Sequence, residues 1–160
     1  IEDSSGILDI KVSDTKIQFT FNDIQLTSKL IDGTFPDYER VIPKNNDKEL
    51  LIETKAFASS IDRVATISSD KSKAVKFLLK DGLLTLTVIN PETGKAIEKT
   101  PVDYTYEELE IGFNARYLLD IASQIEGSNI LFALEGSGSP ALITDSDDNQ
   151  ATYVLMPMRV

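Results

Sequence analysis

Apolar and polar residues alternate over short stretches from the start of the chain. Leu8, Ile10 and Val12 are separated by Asp9 and Lys11. After the turn-like Ser13-Asp14-Thr15, residues Ile17, Phe19 and Phe21 alternate with Gln18 and Thr20. A third alternating run, Ile24 to Ile31, follows Asn22-Asp23. Period-two alternation between turn residues predicts an antiparallel meander with one face buried. Gly33-Thr34-Phe35-Pro36-Asp37-Tyr38 ends it, and Pro43-Lys44-Asn45-Asn46-Asp47 reads as an exposed linker.

The pattern then lengthens. Leu50 to Ile52 is a brief strand, and Thr54 is the expected N-cap of a helix from Lys55 to about Ser68, with Phe57, Ile61, Val64 and Ala65 on one face. Ala74 to Leu79 and Leu83 to Ile89 form a hairpin across Lys80-Asp81-Gly82, Asp-Gly being a strong turn signal. Pro91-Glu92-Thr93-Gly94 turns into Lys95 to Val102, and Leu109 to Phe113 is a further strand. Asn114 is the expected cap of a second helix to about Glu126, and strands at Asn129 to Leu134, Ala141 to Thr144 and Thr152 to Met156 follow. Each half of this unit is a strand, a helix and a three-stranded meander, so residues 1–35 resemble the closing meander of such a half. One helix over one sheet buries a single stripe, and a repeated unit gains its core from its neighbour. The reading is an α+β protein with a complete two-helix domain over residues 46–160. Residues 1–45 are then the closing part of an incomplete sister domain.

Composition narrows the chemistry. Among 160 residues there is neither Cys nor His, which excludes disulfides, Cys/His metal sites and either residue as nucleophile or proton carrier. Sixteen Lys+Arg against 26 Asp+Glu give a net charge of −10, unlike a protein that grips nucleic acid through overall charge. No apolar run approaches the roughly 18–20 residues of a membrane span. Ile1 to Gly6 has neither the basic nor the apolar region of a signal peptide, and the chain opens without Met, as a piece of a longer protein would. Asp145-Ser146-Asp147-Asp148-Asn149 lacks the glycine and closing Glu of a calcium loop, and Gly136-Ser137-Gly138-Ser139 lacks the Lys of a phosphate loop. Glu107, Glu108 and Glu110 leave open a hydrolase working through acidic residues alone, although sequence neighbours on a strand edge make a poor acid/base pair. No cofactor and no metal are expected.

Two segments are specific in combination: Asp32-Gly33-Thr34-Phe35-Pro36-Asp37-Tyr38-Glu39-Arg40-Val41-Ile42-Pro43, and Tyr153-Val154-Leu155-Met156-Pro157-Met158-Arg159-Val160. With Ile111-Gly112-Phe113-Asn114-Ala115-Arg116-Tyr117-Leu118-Leu119-Asp120 between them, they resemble the bacterial DNA polymerase III beta subunit family, the sliding clamps. The resemblance covers the whole chain, as the end of a middle domain and a C-terminal domain. It implies the DNA-clamp fold, with antiparallel sheets outside and two inner helices per domain. It further implies a non-catalytic, cytoplasmic processivity factor that encircles duplex DNA as a head-to-tail homodimer. In that role it would tether the polymerase III catalytic subunit, the clamp loader and other replication and repair proteins. This piece alone is expected to be monomeric.

The same resemblance implies a partner-peptide pocket at Pro36, Arg40, Val41, Pro140, Val154, Leu155, Met156, Pro157, Met158 and Arg159. Methionines suit a groove that accepts different apolar anchors, and prolines fix its rim. Taken alone, Val154, Leu155 and Met156 would be ordinary strand core, Pro36 a turn residue and Arg40 a solvated charge. A ring interface is implied at Thr66, Ile67, Lys95 and Ile97, where Lys95 to Lys99 also reads as a charged edge strand that resists aggregation. Lys55, Arg63 and Arg116, on the polar faces of the helices, are the candidates for facing DNA, although such mixed faces are commonly just solvated.

Overall fold

The computed structural model describes residues 6–34, 37–68, 73–148 and 150–160. The chain divides into two compact units, Ile1–Asp37 and Tyr38–Val160.

In the first unit β1 (Asp9–Val12), β2 (Lys16–Phe21) and β3 (Ile24–Lys29) form the expected antiparallel meander, in the order β1-β2-β3. Ile10 pairs with Phe19 and Phe19 with Leu26, while Val12 pairs with Ile17 and Phe21 with Ile24, so the apolar residues share one face. That face is not buried as the alternation predicts. Phe21 is covered, but Ile10 is 55% exposed and Leu26 61%. Alternation marks a face fit for burial, and three strands alone supply no second layer to cover it.

The second unit opens on a single 3₁₀ turn, Tyr38–Arg40. It continues β4 (Lys48–Glu53), α1 (Thr54–Ala65), β5 (Ala74–Lys80), β6 (Leu83–Asn90), β7 (Gly94–Pro101), β8 (Leu109–Asn114), α2 (Ala115–Ala122), β9 (Asn129–Leu134), β10 (Ala141–Asp145) and β11 (Thr152–Leu155). The element order is the expected one. Both helices end about a turn earlier than periodicity suggests, and the first cap is one residue earlier. The Glu53 carboxylate accepts from Lys55 N and Ala56 N, whereas Thr54 is the first helical residue and donates to Gly127 O. Asn114 caps α2 as expected, accepting from Arg116 N. Asp81 and Gly82 both have positive φ, as a two-residue type I′ hairpin turn requires.

The two halves exchange their leading strands. The sheets run β11-β10-β9-β4 and β7-β6-β5-β8, so β4 joins the second half and β8 the first. After each meander the chain also crosses back to its own half's leading strand, which sits in the other sheet, and a single antiparallel bridge forms there: Leu51 with Asp103, and Gly112 with Met158. One core results, with Phe57 of α1 edge-on to Phe77 of β5 and Phe132 of β9, which touch each other. Burying such rings contributes on the order of 2 kcal/mol each.

Candidate functional site

The C-terminal bridge shapes a broad hollow. Met158 N donates to Gly112 O at 2.8 Å, laying the last residues across β8. Gly112 permits this approach: a Cβ there would stand 2.7 Å from Met158 O and would also strike the Val160 side chain. The hollow, of about 660 Å³, is walled by Glu110 to Gly112, by Ser137 and Gly138 of the β9–β10 loop, and by Met156 to Val160. Met156 is 59% exposed, Arg159 is exposed, and Pro157 and Met158 are half-buried. An accessible thioether beside a proline-stiffened strip and a guanidinium can take an apolar anchor and a carbonyl or carboxylate together.

Of the residues proposed for a pocket, Met156, Pro157, Met158 and Arg159 are brought together here. Leu155 is core, and Val154 is half-buried in β11, paired with Leu142. Pro140 precedes β10, its carbonyl accepting from Asn46 Nδ2. Arg40 and Val41 lie at the 3₁₀ turn, outside this lining, and Pro36 lies outside the described residues. Ile111 and Gly112 also line the hollow, although the pocket residues implied by the sequence do not include them. The available signal was a glycine inside a strand pattern, which marks close backbone approach.

The interface candidates are partly gathered. Ile67 packs against the core and its carbonyl accepts from Asn90 Nδ2 at 2.7 Å and Thr93 Oγ1 at 2.9 Å, tying the end of α1 to the β6–β7 turn. Thr66 is exposed, as are Lys95 and Ile97 on the edge strand β7. Lys55 and Arg116 are exposed on the helices, Arg116 beside Asp62, Thr66 and Lys73. Arg63 instead pairs with Glu98 of β7, which also accepts from Ser60. That guanidinium holds the Glu98 carboxyl below the usual carboxylate range.

The three glutamates form no acid/base pair. Glu107 faces Lys48, Glu108 faces Lys80 and Glu110 faces Lys76, at 3.3, 2.7 and 3.0 Å. Asp145 accepts from Asp147 N at 2.9 Å and Gly127 N at 2.8 Å, which fixes a turn and lowers its pKa. Among the described residues there is no cluster of His, Cys, Asp or Glu able to hold a metal, and no helix long and apolar enough to cross a membrane.

Residues 39–159 match the family model of the DNA polymerase III beta subunit, C-terminal domain. Over all 160 residues the chain is 49% identical to the beta sliding clamp of Caulobacter vibrioides, covering 43% of that protein. It is 37% identical over 153 residues to the beta sliding clamp of Escherichia coli K12, covering 96% of this chain and 42% of the relative. A solved sliding clamp from Bartonella birtlesii, bound to griselimycin, aligns with a TM-score of 0.90 at 49% identity, over 96% of this chain and 41% of that one. The corresponding subunit from Pseudomonas aeruginosa gives 0.88 at 38% identity, over 96% and 42%. The chain thus spans about two fifths of the length of these relatives, which are non-catalytic clamps. It belongs to the DNA polymerase III beta subunit family and carries the clamp fold of that family's C-terminal domain.

Proposed function

We propose that this chain serves in a head-to-tail ring around duplex DNA and that the hollow at Met156 to Arg159 docks short linear peptides of replication and repair proteins. The polymerase III catalytic subunit and the clamp loader would be among those partners. The observation that carries the reading is the hollow itself, with exposed Met156 and Arg159 beside half-buried Pro157 and Met158, on a strip pinned to Gly112. Holding a polymerase beside its primer end raises its effective concentration there, so dissociation need not end synthesis. A net charge of −10 suits encircling rather than gripping, and Lys55 and Arg116 supply cations on the helices for loose phosphate contact. Thr66, Ile67, Lys95 and Ile97 are the residues proposed for the joint between subunits, and the working place is the bacterial cytoplasm.

Fluorescence anisotropy with a peptide carrying a Gln-x-x-Leu core tests the docking site. Met156→Ala removes an exposed apolar anchor surface and is expected to weaken binding by roughly tenfold, as for about 1.4 kcal/mol of lost contact. Wild-type affinity in a Met156→Ala, Pro157→Ala double variant would contradict the assignment.

A further inference from the structure

Asn46 lies two residues before β4, in a stretch whose composition reads as exposed linker, yet its side chain reaches inward. Nδ2 donates to Ala133 O at 2.8 Å and to Pro140 O at 2.9 Å. The two carbonyls fix the amide's orientation, since reversing it would set Oδ1 against both. Oδ1 itself is buried and takes no donor among the described residues. An unmatched buried acceptor opposes folding, so the amide's two donor contacts must offset it.

Those contacts close a loop. Ala133 is near the end of β9 and Pro140 immediately precedes β10, so one amide ties together the two ends of the 135–140 connection. Lys48 Nζ adds a bond to Glu135 O at 2.9 Å. Within the loop, Gly136-Ser137-Gly138-Ser139 has one backbone bond, Ser139 N to Gly136 O at 3.2 Å. Two glycines supply little conformational restraint, and the loop's position therefore depends on its anchors. Ser137 and Gly138 wall the same hollow as Met156 to Arg159.

We propose that Asn46 is a positioning residue of the docking site, holding Ser137 and Gly138 in place as a wall of the hollow by binding both ends of their loop. This rests on the hollow being the peptide site. A wall already in place spares the peptide the entropy of ordering it.

In the full chain, Asn46→Ala should weaken the Gln-x-x-Leu peptide by roughly two- to tenfold, the net worth of about one hydrogen bond. It should also speed hydrogen exchange at the Ser139 amide, the bonded N–H of that loop, while Leu50 and Ile52 in β4 stay protected. Asn46→Asp, which presents acceptors to the same two carbonyls, should be worse than Ala. Asn46→Ser, which keeps one donor, should be milder, and it replaces Ala if Ala fails to fold. Unchanged loop exchange, or unchanged affinity while Met156→Ala still weakens the peptide, overturns the positioning role alone. Unchanged affinity in both Met156→Ala and Asn46→Ala overturns the docking site with it.

Discussion

At Asp145 one carboxylate organises a turn by accepting backbone N–H groups from two directions. The donors Asp147 N and Gly127 N favour the ionised form, so the carboxyl titrates below its ordinary value of about 4 in the folded chain. A depressed folded pKa contributes stability that is present above the ordinary value and lost as pH falls through the lower folded one. Asp145→Asn should therefore flatten the decline in melting temperature below about pH 4 relative to wild type. An unchanged acid limb would mean that the carboxylate is not linked to folding. The acidic run containing Asp145 is identifiable from sequence as a turn, and Asp147 N is a local donor, but Gly127 N is not foreseeable, because it lies 18 residues away. Asn46 is hidden for the same reason, its acceptors lying 87 and 94 residues along the chain. Composition marks such a residue as linker, and only the folded chain shows what it holds.

Strands and helices were legible because each has its own period and turn chemistry. Asp81-Gly82 and Asn114 have local roles that local sequence states. The cap at Glu53 was less legible, since Thr54 is the stronger capping type but turns its hydroxyl to Gly127 O. The exchange of β4 and β8 between halves is a tertiary choice with no local mark. It matters because each half then ends by crossing to its own leading strand in the other sheet, and the second crossing builds the hollow. The two bridges are not equivalent in side chain: Leu51 serves in one and Gly112 in the other. Gly112→Ala should force the C-terminal strip away from β8, because its Cβ would meet Met158 O at 2.7 Å and Val160 Cγ2 at 2.8 Å. A loss of about 1–3 kcal/mol in urea unfolding is expected, the usual cost of overpacking. A variant of wild-type stability that retains a protected Met158 amide would contradict the bridge's role.

For the molecule as a whole, membership of the DNA polymerase III beta subunit family is the frame in which the proposed docking role stands. The meander of the first unit keeps Ile10, Val12, Ile24 and Leu26 exposed, and the second unit carries a complete core of its own. The proposed function of the second unit therefore depends on where a partner peptide sits. Titrating an unlabelled Gln-x-x-Leu peptide into ¹⁵N-labelled chain and following amide chemical shifts locates it directly. The largest changes should fall on Gly112, Ser137, Gly138, Met156 and Met158, with the acidic turn at Gly127 and Asp145 unmoved. Shifts centred on that turn, with Gly112 and Met156 to Met158 unchanged, would contradict the docking site.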